Sequence, residues 1–233
     1  MRQVLLRLLL PLVALYALMV AFGLFITKVA DGWWPLTVED RVNESLEAAR
    51  SGPLTAASLV FSTIADTWSV IAVCTLAVVI LLVTRRPWRE PIFLASAVAA
   101  QALVFLCTTL VIDRQRPDVV HMDASPPTSS FPSGHTSAAA TLYCGLALLF
   151  ALRATDRRWE TLVWTIFVLI PIGVALTRLY RGMHHPTDVL ASFANAAACL
   201  TIMYRGVLRW RGAPPPRPEQ ERPAVPLVPS RYR

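Results

Sequence analysis

Residues 133–152 read SGHTSAAATLYCGLALLFAL, a stretch of 20 residues without Asp, Glu, Lys or Arg. About 20 such residues in an α-helix span the hydrocarbon core of a bilayer. Five further stretches lack charged residues and have a similar or slightly shorter length: 8–27, 67–83, 91–112, 161–177 and 189–204. The sequence therefore predicts an all-α integral membrane protein built as a six-helix bundle.

The overall composition agrees with this fold class. Of the 233 residues, 55% are hydrophobic, and the mean hydropathy of +0.51 is too high for a soluble domain of this size. We expect one membrane domain over residues 1–210, followed by a disordered, Pro- and Arg-rich cytoplasmic tail over residues 211–233. The four cysteines lie in four different apolar stretches without zinc-site spacing, which is typical of small core residues.

The basic residues indicate how the bundle is oriented. Of the 22 basic residues, all but one are arginine, and they lie in short connections between apolar stretches, so no nucleic-acid-binding surface is expected. Fifteen fall on the side that carries both termini, and the other seven are Lys28, Arg41, Arg50, Arg114, Arg116, Arg178 and Arg181. Because cytoplasmic loops accumulate Lys and Arg, we predict a multi-pass plasma membrane protein with both termini in the cytoplasm.

Two polar connections are predicted on the outer side. Residues 38–49 (VEDRVNESLEAA) have the pattern of a short surface helix, on which the acidic side chains, Glu39 among them, are expected to be exposed. Residues 113–132 form a longer connection rich in Asp, Pro and Ser. Connections of this length inside a compact bundle are often functional.

Three segments on the outer side carry reactive polar residues. They are Arg116-Pro117, Pro132-Ser133-Gly134-His135, and Thr177-Arg178 followed by His184 and Asp188. Each residue alone has an ordinary structural explanation, such as a helix start or an arginine at the membrane interface. Their coincidence on one side of the membrane indicates a functional site.

The histidines in these segments suit phosphoryl transfer. A nucleophilic imidazole needs a partner on its second ring nitrogen, which fixes the tautomer and stabilises the developing positive charge. Asp188 lies four positions after His184 at a predicted helix start, so its carboxylate is the expected partner. His135 lies at the mouth of another helix, where it can protonate the leaving alkoxide.

The remaining residues suit the binding of a phosphate group. Arg116 and Arg178 carry guanidinium groups, which donate bidentate hydrogen bonds to phosphoryl oxygens. Ser133 and Gly134 offer a hydroxyl and backbone N–H groups at a helix N-terminus. The sequence therefore predicts a site for a phosphate ester at the outer face.

These segments resemble the three motifs of the type 2 phosphatidic acid phosphatase superfamily, KxxxxxxRP, PSGH and SRxxxxxHxxxD. Residues 132–135 match the second motif in full, and Arg178, His184 and Asp188 match the third at the family spacing. The resemblance covers roughly residues 1–210 and implies the family's haloperoxidase-like six-helix membrane fold.

The resemblance also implies roles for individual residues. His184 would be the nucleophile and His135 the general acid. The phosphate would be held by the arginines, the serine and the glycine of the motifs, namely Arg116, Arg178, Ser133 and Gly134. The family uses neither a metal nor another cofactor.

The chain departs from the family pattern at two positions. Thr177 replaces the serine of the third motif and keeps its hydroxyl. Thr109 stands where the first motif has its lysine, which removes a cation from the expected phosphate site. Arg114 is a candidate replacement if the third helix unwinds before reaching it. Arg181 and His185, beside the third motif, are expected to be solvated at the interface.

The expected reaction is hydrolysis of a lipid phosphate or lipid diphosphate at the outer face through a phosphohistidine, with membrane lipids as the surroundings. A polyprenyl diphosphate is the first substrate considered, followed by phosphatidic acid or phosphatidylglycerol phosphate. Two alternatives keep the same fold, a phospho-headgroup transferase and a non-catalytic scaffold or transporter. A metal site is a further alternative, and its ligands would be His121, His135, His184 and Asp188.

Overall fold

The computed structural model describes residues 2–124 and 128–209, and the regular elements in this part of the chain are helices, which confirms the all-α prediction. The α-helices are α1 (Arg2–Leu24), α2 (Glu39–Ala48), α3 (Gly52–Ile64), α4 (Thr67–Val83), α5 (Arg89–Thr109), α6 (Gly134–Ala151), α7 (Arg157–Tyr180) and α8 (Pro186–Met203). One π-helical turn extends α1 over Phe25–Val29 and another extends α8 over Tyr204–Leu208. The predicted tail, 211–233, lies outside the described residues.

Within the described residues, five helical segments are long and apolar enough to cross a membrane: Leu6–Val29, Arg89–Thr109, Gly134–Ala151, Arg157–Tyr180 and Pro186–Leu208. The sixth predicted span, residues 67–83, is α4, which a bend of 53° joins to α3. When α3 and α4 count as one broken span, the bundle has the six spans that the sequence predicts. Helix α3 is an addition to that prediction, since its 13 residues are too few to cross a bilayer alone.

The break between α3 and α4 has a local cause. Asp66 has an extended backbone, and its carboxylate accepts a hydrogen bond from the backbone N–H of Trp68 at 3.2 Å. An aspartate in this position is a typical helix N-cap, which begins a new helix by satisfying one of its free N–H groups. The acidic side chain is thereby held at the end of the bundle where the polar segments meet.

Helix α6 packs against α5, α7 and α8. Its small residues permit this close packing, since Ala139 and Ala147 are fully buried. A Cβ added to Gly145 would lie 3.2 Å from Leu94 and 3.3 Å from Leu200. Membrane helices approach each other closely through such faces. The N-terminus of α6 is thereby placed beside the neighbouring helix ends that carry the polar segments.

Candidate functional site

The polar segments meet at one end of the bundle, where α5 and α7 end and α6 and α8 begin. They border a cavity of about 800 Å³. Five of the predicted site residues line it: Arg116, Gly134, His135, Arg178 and His184. The others do not line it, namely Thr109, Arg114, Ser133 and Asp188.

His184 is a buried histidine of the turn between α7 and α8. Its Nδ1 lies 2.6 Å from the carbonyl oxygen of Ser130. A carbonyl can only accept, so Nδ1 carries the proton and Nε2 keeps its lone pair. Burial lowers the pKa of His184 below the ordinary histidine value, and the nearby Asp188 carboxylate offsets only part of this effect. The side chain is therefore a neutral imidazole at neutral pH, the form in which it can act as a nucleophile.

Asp188 does not make the hydrogen bond to His184 that the four-residue spacing predicts. The distance from His184 Nδ1 to Asp188 Oδ2 is 3.8 Å, which is too long. Oδ2 instead accepts the backbone N–H of His185 at 2.8 Å, and Oδ1 accepts Arg114 Nη1 at 2.5 Å. The carboxylate holds the start of α8 and affects His184 as a nearby charge. The Ser130 carbonyl orients the imidazole.

Arg114 lies between buried acidic groups. Its Nη2 donates to Glu39 Oε2 at 2.6 Å, and its Nη1 donates to Thr187 Oγ1 at 2.7 Å as well as to Asp188. Glu39 also accepts the backbone N–H of Thr187 at 2.7 Å. The guanidinium of Arg114, the candidate replacement for the motif lysine, is engaged in this network and does not line the cavity.

Helix α2 packs against α7, and two of its side chains contact the start of α8 and the turn that joins α7 to α8. Glu39 is 4% exposed and Asn43 is 1% exposed. Asn43 Nδ2 donates to the carbonyl oxygens of His184 at 3.0 Å and of Leu179 at 3.3 Å. The helix is where the sequence predicts it, but the expected exposure of Glu39 is wrong. Glu39 and Asn43 are four residues apart on one helical face, and this spacing is the signal that could have indicated their shared burial.

The two arginines of the expected phosphate site both line the cavity. Arg116 Nη1 donates to the carbonyl oxygen of Met183 at 2.7 Å. Burial lowers the pKa of Arg116, and the charge of Asp188 partly offsets this effect. Arg178 is more deeply buried, and its Nη1 donates to Asp123 Oδ2 at 2.7 Å and to Ser62 Oγ at 2.9 Å. Its Nε is buried without a hydrogen-bond partner in the described part of the chain.

Asp123 is a cavity residue that the sequence motifs do not indicate. It accepts a hydrogen bond from Arg178 and three from Arg181, two from Nε at 3.0 Å and one from Nη2 at 2.5 Å. Burial alone would raise the pKa of Asp123, but the two guanidinium groups outweigh it and hold the pKa below the ordinary value. Arg181 and His185 were expected to be solvated, but both are buried. Arg181 is paired with Asp123, and Nε2 of His185 lies 3.3 Å from the carboxylate of Asp40.

The start of α6 contributes Gly134 and His135 to the cavity wall. A Cβ on Gly134 would lie 2.8 Å from Phe105 Cζ, so this position has no room for a side chain. Ser133 is fully buried, with its hydroxyl 3.0 Å from Thr136 Oγ1 and its backbone N–H donated to Ser192 Oγ at 2.7 Å. Ser133 therefore caps α6, and the expected direct contact between its hydroxyl and a phosphate is not prepared in this structure.

Thr109 lies near the end of α5 and is buried. Its hydroxyl donates to the carbonyl oxygen of Leu106 at 2.9 Å, as is common for threonines in helices. The position of the motif lysine therefore provides no cation to the cavity. Thr177, the other departure from the motif pattern, is also buried.

The residues of the alternative metal site are not assembled. His121 Nε2 lies 3.0 Å from the carbonyl oxygen of Pro117, and His121 does not line the cavity. Over residues 2–124 and 128–209, no group of three or more His, Cys, Asp or Glu side chains is arranged to hold a metal ion. His135, His184 and Asp188 thus do not form a ligand set with His121.

Comparison with known proteins shows which family and which relatives the sequence resembles. The family model of the PAP2 superfamily matches residues 90–211. Phosphatidylglycerophosphatase B of Bacillus subtilis is 33% identical over 84 residues, which are 36% of this chain and 41% of the relative. Decaprenylphosphoryl-5-phosphoribose phosphatase of Mycobacterium tuberculosis is 37% identical over 123 residues, which are 51% of this chain and 60% of the relative. The chain thus spans about half the length of the curated relatives it matches.

Two solved structures share the fold. The transmembrane PAP2-type phosphatidylglycerolphosphate phosphatase of Bacillus subtilis has a TM-score of 0.74 at 18% identity, covering 86% of this chain and 97% of that one. LpxE of Aquifex aeolicus has a TM-score of 0.57 at 19% identity, and the match covers 72% of this chain and 95% of LpxE. These likenesses support an all-α, multi-pass membrane fold.

Proposed function

The chain belongs to the PAP2 superfamily, and from this premise we propose that it is a lipid phosphatase that acts through a phosphohistidine on His184. One observation supports this most strongly. The buried His184 keeps its Nε2 lone pair while it borders a cavity shared with His135, Arg116 and Arg178. The cavity thereby brings together a nucleophile, a proton-transfer group and two phosphate-binding cations.

In the first step, Nε2 of His184 attacks the phosphorus, and the bond from phosphorus to the lipid oxygen breaks. His135 gives a proton to this leaving oxygen, which departs as the lipid alcohol. Arg116 and Arg178 hold the non-bridging oxygens, where negative charge is concentrated during transfer. Throughout both steps the Ser130 carbonyl accepts a hydrogen bond from the Nδ1–H of His184, which stabilises the positive charge on the phosphorylated imidazole.

In the second step, water attacks the phosphorus of the phosphohistidine while His135 removes its proton. The bond from phosphorus to Nε2 breaks, inorganic phosphate leaves and His184 returns to the neutral form. Asp188 supports both steps as a fixed negative charge 3.8 Å from Nδ1. This cycle consumes one water for each phosphate ester cleaved.

Lipid substrates suit the rest of the cavity. Apolar residues of α3, α4 and α5 form one of its sides, namely Leu59, Val70, Ile71, Val98, Ala102 and Leu106. An acyl or prenyl chain would lie against these residues while its phosphate meets the arginines. We place the site at the outer face of the plasma membrane, with both termini in the cytoplasm, because fifteen of the 22 basic residues fall on the side opposite the site.

Phosphate release from a panel of lipid phosphates, with the purified protein in detergent, tests this function. We expect turnover by the wild type, none by His184→Ala, and acid-labile phosphate on the protein during turnover. His121→Ala is the matched control, since it removes a histidine outside the cavity and should keep most of the activity. Turnover by His184→Ala at the wild-type rate would exclude the proposed nucleophile.

A further inference from the structure

The formal charges on the cavity wall balance one another. The charged residues that line it are Arg116 and Arg178 against Asp66 and Asp123, in the described part of the chain. The wall also lacks a cation from position 109, where the threonine hydroxyl donates to its own helix.

Asp123 is held in place at the phosphate-binding arginine. Its carboxylate contacts Arg178 Nη1 at 2.7 Å, and Arg181 binds it through Nε and Nη2. The backbone adds to this, because the N–H of Met122 donates to the carbonyl oxygen of Arg181 at 3.1 Å. The side chain of Asp123 keeps 27% of its surface exposed, on the side of the cavity. A negative charge is therefore fixed beside the group that receives the substrate phosphate.

We propose that Asp123 is a specificity-determining residue that makes the site select lipid phosphate monoesters over lipid diphosphates. This inference rests on the proposed phosphatase function and names its substrate class. A bound monoester carries at most two negative charges, which Arg116 and Arg178 match. A diphosphate brings about one charge more into a cavity whose remaining wall charges, Asp66 and Asp123, are negative.

The size of the preference follows from Coulomb's law. One additional unit charge about 7 Å from the Asp123 carboxylate, at an effective dielectric constant of about 20, would lower affinity roughly 50-fold. Arg181 lies against the same carboxylate and screens part of this repulsion. We therefore expect that removal of the Asp123 charge improves the diphosphate relative to the monoester about 5- to 20-fold.

The test uses farnesyl phosphate and farnesyl diphosphate, which share one prenyl chain and differ by one phosphate group. The value of kcat/KM is measured for both substrates with the wild type, Asp123→Asn and Asp123→Glu in the same detergent. The ratio of the two values is taken within each protein preparation, so a fraction of misfolded protein cancels. Glu44→Gln is the control, because it removes an exposed acidic charge from α2 at the same end of the bundle.

The wild type should prefer the monophosphate. Asp123→Asn should shift the ratio toward the diphosphate about 5- to 20-fold, while Asp123→Glu and Glu44→Gln should keep the wild-type ratio. Hydrolysis with an unchanged ratio in Asp123→Asn, or a wild-type preference for the diphosphate, would overturn the role of Asp123 and leave the phosphatase function intact. Absence of hydrolysis of these two and of every other lipid phosphate would overturn both.

Discussion

Replacing Arg114 by alanine removes the cation that lies between two buried carboxylates. The side chains of Glu39 and Asp188 are 5% and 0% exposed, and that of Arg114 is 12% exposed. Removing one partner of a buried ion pair leaves an uncompensated charge, which typically costs about 3–5 kcal/mol. At about 2–4 °C per kcal/mol for a chain of this size, the midpoint of thermal unfolding should fall by roughly 6–20 °C.

Tryptophan fluorescence during heating of the purified protein in detergent measures this midpoint. The value of kcat/KM is then determined well below the lower midpoint, where both proteins are folded. Arg41→Ala is the matched control, since Arg41 is an exposed arginine of α2 and its loss should cost less than about 0.5 kcal/mol. Glu39→Gln combined with Arg114→Ala should cost less than the sum of the single variants, because the two residues are in contact.

The opposite result has a distinct signature. If Arg114 served as a phosphate ligand, its loss would leave the unfolding midpoint within about 2 °C of the wild type while kcat/KM fell about 10-fold or more. That combination would refute the buried bridge and restore Arg114 as the replacement for the motif lysine.

Three further predictions concern the turn between α7 and α8, the start of α6, and the dependence of activity and stability on pH. Asn43→Ala removes the hydrogen bonds that Asn43 donates to the carbonyl oxygens of His184 and Leu179, so kcat should fall about 5- to 30-fold with KM nearly unchanged. Asn43→Asp should not restore kcat because a carboxylate cannot donate these hydrogen bonds. A wild-type kcat in Asn43→Ala would contradict this role. Gly134→Ala should reduce both the yield of folded protein and its activity, because the added Cβ would lie 2.8 Å from Phe105 Cζ. The double variant Gly134→Ala with Phe105→Leu should recover part of the yield and of the activity. A fully active Gly134→Ala protein would disprove the clash. Because burial lowers the pKa of His184, the neutral nucleophile persists below the ordinary histidine pKa of about 6.5. A profile in which kcat/KM falls on acidification while the pH is still above about 6.5 would contradict this. By linkage, the His184 contribution to stability is constant above pH 6.5 and declines as the pH falls from about 6.5 toward the lower folded pKa, since only the unfolded state is protonated in that window.

The membrane fold follows from local properties of the chain. Uncharged stretches of about 20 residues can satisfy their backbone groups in a bilayer only as helices, so their number and length predict the bundle. The break in the second span was not predicted, because α3 is short and carries hydroxyl side chains such as Ser58 and Ser62. These hydroxyls accept hydrogen bonds from Arg181 and Arg178, which only the packed bundle brings to them.

The grouping of Arg116, Gly134, His135, Arg178 and His184 around one cavity was also predictable, because each lies in or beside a connection at the same end of the predicted bundle. Successive spans run in opposite directions, so every second connection lies at the same end of the bundle. Their roles as catalytic and phosphate-binding residues remain a prediction from chemistry and family resemblance.

The partners of these residues were decided by tertiary structure. Ser130, which orients His184, is 54 positions away, and Glu39, which binds Arg114, is 75 positions away. Spacing along one helix suggested Asp188 as the partner of His184, but a carboxylate at helix N3 is better satisfied by the free N–H of the N-cap residue and by Arg114. A helical period reports only contacts within one element. The burial of Glu39 and Asn43 and the pairing of Asp123 depend on how separate elements pack. A buried polar group is stabilised by whichever hydrogen-bond partner the fold brings within about 3 Å.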